Sequence, residues 1–234
     1  MITARNVTFR YDERTVLDGL SLSIPDGEFC LLVGPNGSGK TTLVRHFNAL
    51  LTPDSGTVTV DGTDVTERPV VARTSVGMVF QQPRDQFVAS TVGADVAFGP
   101  ENLGLSHEEI DRRVEAALSA VDLAGRGDER LDELSGGEQA RAAIAGALAM
   151  DPDYLVLDEP LAGLDWPARE TVLAHLGDLH EQGTALVVVT HDLRDLHERA
   201  ERIVGLDDGQ VVLDDDPPTA LDRVADLGVR DPRC

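Results

Sequence analysis

The sequence predicts an α/β fold with a helical block inserted into it, on three observations. Short, continuously apolar runs at 29–33, 154–157 and 185–189 suit strands buried on both faces of a parallel sheet. Helix-period segments at 40–51 and 167–182 alternate with those runs. Residues of about 82–150 have another texture, with few β-like runs and two amphipathic helical patterns.

The elements follow in order. Residues 2–9 and 20–24 read as strands, and Pro25-Asp26-Gly27 supplies turn chemistry before the buried strand that stops at Gly34. The helical pattern from Lys40 to Leu51 ends at Pro53-Asp54-Ser55-Gly56; a strand at 57–60, a turn at Asp61-Gly62 and a strand at 76–80 come next. In the helical block, a helix over 106–121 opens with a capping box of Ser106 and Glu109, and a second helix follows Ser135. The core resumes with strand 154–157, helix 167–182 and strand 185–189. An Asp208-Gly209 turn between apolar runs predicts a closing hairpin. The tail from about Pro217 is short and acidic and says little. The expectation is one domain over 1–234, with a core at 1–81 and 154–205, a helical subdomain at 82–153, and a hairpin and tail at 206–234.

With 234 residues the chain is long enough to bury a substantial apolar interior. Lys and Arg total 20 against 42 Asp and Glu, a formal charge of −22. Such a surface repels phosphate backbones, and no basic run offsets it, which excludes a general nucleic-acid-binding role. An acid excess with almost no lysine predicts a protein suited to concentrated salt, where self-repulsion is screened. Of the basic residues 19 are Arg, and the one lysine is Lys40. Cys30 and Cys234 make neither a disulfide framework nor a metal spacing, and Cys30 reads as a small buried hydrophobe. With no signal core and no run of roughly 18 apolar residues, a soluble, cytoplasmic chain is expected.

The lone lysine sits in Gly34-Pro35-Asn36-Gly37-Ser38-Gly39-Lys40-Thr41-Thr42, which satisfies G-x-x-x-x-G-K-[ST] between a strand and a helix start. Glycines let backbone N–H groups wrap a β-phosphate, and the helix N-terminus adds its positive end. Lys40 supplies a point charge for β/γ oxygens and Thr41 a hydroxyl for Mg²⁺. Downstream, the strand 154–157 runs into Asp158 and Glu159, whose side chains diverge. Asp158 suits the metal role, and Glu159 suits a general base facing the attacking water.

Leu134-Ser135-Gly136-Gly137-Glu138-Gln139, some 20 residues before that strand, resembles the signature of the ATP-binding cassette (ABC) ATPases. The resemblance implies a RecA-like P-loop NTPase core with an antiparallel β subdomain and an inserted α-helical subdomain. It also implies ATP and Mg²⁺ as cofactors, and a second ATPase subunit, as homodimer or heterodimer, whose Ser135, Gly136, Gly137 and Glu138 face the γ-phosphate held by the first. Other positions match in order. Tyr11 resembles the aromatic that stacks on adenine. Gln81, or Gln82 beside it, resembles the glutamine that touches Mg²⁺ and attacking water. Leu164 and Asp165 resemble a dimer-contact loop, and His191 the switch histidine that reaches the γ-phosphate. The other five histidines read as surface or packing residues.

The segment from Gln81 to Phe87, with Thr91-Val92 and residues 95–105, resembles the ATPases of energy-coupling-factor importers for cobalt, nickel, biotin and other vitamins. That resemblance implies a transmembrane T component, a substrate-binding S component and a peripheral place on the cytoplasmic face of the cell membrane. Arg84 and Leu161-Ala162-Gly163 depart from the usual wording and leave the cargo and the pairing open. A soluble ABC ATPase of iron–sulfur cluster assembly is the alternative.

Overall fold

The structure, a computed structural model, describes residues 1–233; Cys234 lies outside the described residues. The apolar runs read from the sequence form the centre of a six-stranded sheet. Its order is β10-β9-β3-β8-β7-β6, where β3 is Phe29–Val33, β6 Val76–Val79, β7 Tyr154–Asp158, β8 Ala185–Val189, β9 Arg202–Asp207 and β10 Gln210–Asp215. All neighbours are parallel except the β9–β10 hairpin. The runs are continuous because both faces are covered. Phe29, Leu31 and Val33 enter one apolar cluster while Cys30 and Leu32 enter the other, and Leu155 and Leu157 alternate likewise with Tyr154 and Val156. Each such side chain contributes roughly 1.5–3 kcal/mol relative to exposure.

On one face lies a four-stranded antiparallel sheet, order β2-β1-β4-β5, built from β1 Ile2–Tyr11, β2 Arg14–Ile24, β4 Ser55–Val60 and β5 Thr63–Asp64. It packs with α1, Lys40–Phe47, through residues such as Ile2, Leu17, Leu43 and Val58. The opposite face is covered by α5, Gly136–Leu148, and α6, Trp166–Glu181, joined by α3, Val92–Asn102, and α4, His107–Ala120.

Several expectations are corrected. The first helix stops at Phe47, since Ala49 turns left-handed at φ 56° and Asn48 caps the helix. Two helices lie where none is expected. α2, Pro69–Ser75, is short and buries only Ala72, so it carries no amphipathic stripe. α3 contains Gly93, Gly99 and Pro100, residues that read as breakers. The box at Ser106 is half formed: its Oγ accepts from Glu109 N–H at 3.3 Å, but the Glu109 carboxylate turns to Arg112 and Arg113. The tail is ordered, with Asp216 capping α7, Pro217–Leu221, and with Ala220, Leu221, Val224 and Leu227 buried. Cys30 is buried, as read from the sequence.

Candidate nucleotide site

The phosphate loop leaves β3 at its C-terminal end and enters α1. Gly34 adopts φ 142°, and a Cβ there would stand 2.0 Å from the Leu206 carbonyl oxygen, so only glycine lets the loop turn against β9. The helix begins after Gly39, itself left-handed at φ 102°, with no side-chain cap. Elsewhere Ser106, Ser135, Asp165 and Asp216 place oxygens over the amides of α4, α5, α6 and α7. The α1 N-terminus is thus left to meet an anion from outside.

Lys40 Nζ donates to the carbonyls of Gly34 and Pro35, each at 2.9 Å, and lies 3.4 Å from Ser38 Oγ. Among the described residues no carboxylate forms an ion pair with it. Burial pushes its pKa down, while Glu159 and Asp158 push it back up. Thr41 Oγ1 donates to Asp158 Oδ2 at 2.7 Å across from the end of β7. Burial raises the Asp158 pKa, the Thr41 bond opposes this and Glu159 adds repulsion, so a cation beside Asp158 is favoured.

Lys40, Thr41 and Asp158 line a cavity of about 280 Å³, into which Asn36, Gly37, Gly39, Thr42, Gln81 and Glu159 also open, while Gly34, Pro35 and Ser38 do not line it. Gln82 does not line it and belongs with Gly136 and Gln139 to the adjoining cavity. Gln81 borders both. The turn that carries it is fixed by Gln86, whose Oε1 accepts from Phe80 N–H at 2.9 Å. Mg²⁺ fits this donor set. Among the described residues no three or more His, Cys, Asp or Glu cluster as a metal cage. Thr41 and Asp158 do supply the one or two hard oxygens that Mg²⁺ takes from a protein when phosphates and water complete its shell.

Glu159 takes φ 53°, a left-handed conformation that costs a β-extended side chain about 1 kcal/mol or more. It is held by its N–H to Val189 O at 2.9 Å and by Thr190 Oγ1 at 3.4 Å. His191 Nδ1 lies 2.6 Å from Glu159 Oε1; with the carboxylate as acceptor, Nδ1 carries the proton. The imidazole is otherwise exposed.

The remaining sequence-derived residues stand outside the cavity. Ser135 caps α5 in a full capping box with Glu138, whose carboxylate also takes Arg126 Nη1 at 2.7 Å. The Ser135 hydroxyl and N–H and Arg126 together push the Glu138 pKa down to about 2. Gly137 abuts α6, with room for no Cβ beside Ala168. Leu164 is half-buried, and Asp165 spends its carboxylate on the Ala168 N–H at 3.1 Å. Tyr11 is exposed, edge-on to Phe9 at 4.9 Å. Of the other histidines, His46 is fully buried beside Phe9. Sequence reasoning missed Arg14 and Val16, which line the cavity from the start of β2. No motif marks them, and the signal is only that Arg14 pairs with Tyr11 across a two-residue hairpin loop.

The ABC transporter family matches residues 17–162. A chain of Halobacterium salinarum whose name goes no further than ABC transporter ATP-binding protein is 60% identical over 99% of this chain and 100% of its own. The cobalt import ATP-binding protein CbiO of Syntrophus aciditrophicus is 45% identical, over 95% of this chain and 81% of its own. The energy-coupling factor transporter ATP-binding protein EcfA2 of Clostridium tetani is 41% identical, over 92% and 77%. Among solved structures, cbiO1 of Clostridium perfringens, part of the ABC transporter complex cbiONQ, superposes with a TM-score of 0.85 at 31% identity, covering 99% of this chain and 96% of that one. The cassette MJ0796, solved as a dimer in a post-hydrolysis state bound to ADP and Pi, gives 0.82 at 32% identity, covering 93% and 99%. A match over most of the length, on a fold whose phosphate loop, Asp158–Glu159 strand end and signature helix stand as described, identifies this chain as a member of the ABC transporter family, an ATPase close to the CbiO and EcfA energy-coupling-factor proteins.

Proposed function

We propose that the chain energises an energy-coupling-factor-type importer for a metal ion or vitamin, cobalt, nickel or biotin, from the cytoplasmic face of the cell membrane. It does so as one half of an ATPase homodimer or heterodimer, with a T component and an S component in the membrane. Among the described residues no helix is long and apolar enough to cross a membrane, so the spans belong to those partners.

The observation that carries the reading is the separation of Ser135 from its own phosphate cavity. The α5 N-terminus turns its positive end to solvent away from the phosphate loop of the same chain, and a second chain bound head to tail would bring a phosphate there to take over the bonds that Ser135 now shares with Glu138. The dimeric MJ0796 cassette supports that arrangement. In this mechanism Glu159 accepts a hydrogen bond from the attacking water and polarises it. His191 keeps Glu159 oriented through the 2.6 Å contact, and as the doubly protonated imidazolium it would donate from its other ring nitrogen to the γ-phosphate. Lys40 and the partner's signature amides stabilise phosphoryl charge. Mg²⁺, held by Thr41, Asp158 and Gln81, would neutralise charge on the β/γ oxygens. Tyr11 would stack on adenine, and Leu164 and Asp165 would meet the second subunit.

The importer assignment is supported by the named relatives and by an apolar groove of about 270 Å³ between the core and the helices. Its walls include exposed Leu50, Val88 and Phe98 beside Phe80, and Val88 and Phe98 fall within residues 81–105, the stretch that resembles the energy-coupling-factor ATPases. The test is co-expression of the Glu159→Gln variant with the neighbouring polytopic membrane protein. ATP should hold the variant as a two-cassette assembly with turnover reduced at least about 100-fold, and the membrane protein should co-purify. Normal hydrolysis would overturn the Glu159 role, and a cassette that never captures a membrane partner would favour the soluble alternative.

A further inference from the structure

We propose that Arg14 is a second cation of the nucleotide site and binds the polyphosphate tail opposite Lys40. The proposal rests on the ATP-binding reading of this cavity. Among the residues lining it, only Lys40 and Arg14 carry positive charge, and they face Asp158 and Glu159. Lys40 is already engaged by two carbonyls and the Ser38 hydroxyl. The Arg14 guanidinium has no hydrogen-bond or ion-pair partner among the described residues, although Asp12 and Glu13 precede it in the chain. Arg5, Arg68 and Arg199 share that state elsewhere on the surface, but Arg14 is the arginine that lines the cavity. Arg126, Arg202 and Arg233 each hold two carboxylates.

The position of Arg14 is set by the fold. Its Nη2 lies 3.9 Å from the point where a Gly37 Cβ would stand, so the guanidinium rests over the outer turn of the phosphate loop. Two residues on, the Val16 carbonyl would lie 2.8 Å from a Cβ on Gly39 and 2.5 Å from one on Gly209; β2 is pressed onto the loop with no side chain between. Gly209 N–H donates to Ser38 O at 3.1 Å and accepts at its carbonyl from Asp18 N–H at 3.2 Å, tying β2, the loop and the β9–β10 turn together. Across the hairpin, Arg14 pairs with Tyr11. One hairpin tip therefore presents an aromatic face and, three residues on, a planar guanidinium that can give a phosphate two parallel N–H bonds. The ligand is a nucleoside di- or triphosphate, and a monophosphate would be too short to use the contact.

The experiment measures equilibrium binding of ATP, ADP and AMP to the wild type and to Arg14→Ala, Arg14→Gln and Arg14→Lys, by competition against a fluorescent ATP analogue. Arg14→Ala and Arg14→Gln should weaken ATP and ADP by about tenfold and leave AMP unchanged. Arg14→Lys should recover part of the loss, and the loss should shrink in high salt. Equal weakening of AMP, or unchanged ATP and ADP affinity, would overturn the proposal. Thermal midpoints without nucleotide guard against a folding defect. If Arg14→Ala lowers its midpoint, the Lys-against-Gln comparison carries the test. A wild type that bound no ATP would instead count against the ATP site itself.

Discussion

Lys40 and Asp158 are both buried and charged, and neither neutralises the other directly. Lys40 is held by carbonyl oxygens and Asp158 by a hydroxyl, so each keeps its charge for something that enters the cavity. An arginine in place of Lys40 would keep the charge but not the shape. The space beneath Gly34 and Pro35 fits one ammonium, and a planar fork with five donors would collide with those carbonyls. Lys40→Arg is therefore expected to lose ATP binding by about 100-fold or more, measured by the same competition assay. The loop residues and the Asp158–Glu159 pair were legible in the sequence because their chemistry depends on near neighbours in the chain. Arg14 was not, since its place over Gly37 is made by β2 folding onto a loop more than 20 residues away.

At the scale of elements, α1 shows a tension between its two ends. Its first turn is open to anions, while its last turn buries His46 among Phe9 and the antiparallel sheet. The His46 Nδ1–H donates to Thr42 O at 2.7 Å, and Nε2 is buried without a partner. Burial is the larger influence and holds the folded pKa below the ordinary 6.5, against the Thr42 bond and Asp54. Below pH 6.5 the unfolded chain takes up a proton that the folded one refuses, so this site withdraws stability as pH falls. Thermal unfolding at pH 7.5 and 5.5 should show a larger loss for the wild type than for His46→Gln, which cannot titrate; equal losses would remove His46 from the account. The long apolar strands and the α4, α5 and α6 helices were readable because their periodicity reports burial directly. α3 was hidden because tertiary packing overrides its Gly and Pro: Gly93 backs onto Gly127 and Gly99 onto Met150, contacts no larger residue would allow without a shift.

Over the whole molecule, two apolar cores flank one sheet, and an acidic shell surrounds them. Arginine pairs such as Arg126 with Glu129 and Arg202 with Asp214 relieve part of the repulsion, but an excess of 22 negative charges remains. The Debye length falls from about 10 Å at 0.1 M to about 3 Å at 1 M. The thermal midpoint should therefore climb by several degrees from 0.1 to 2 M KCl. A flat or falling midpoint would show that the charge is already compensated. The same composition has a chemical consequence. Apart from the chain terminus, the molecule carries a single primary amine, at the floor of the phosphate loop and with its basicity lowered by burial. An acylating reagent is thus a footprint of one site. Peptide mass spectrometry should find Lys40 modified in the free protein and spared with saturating ATP, so that the acidic shell gives no background and labelling stoichiometry reads occupancy directly.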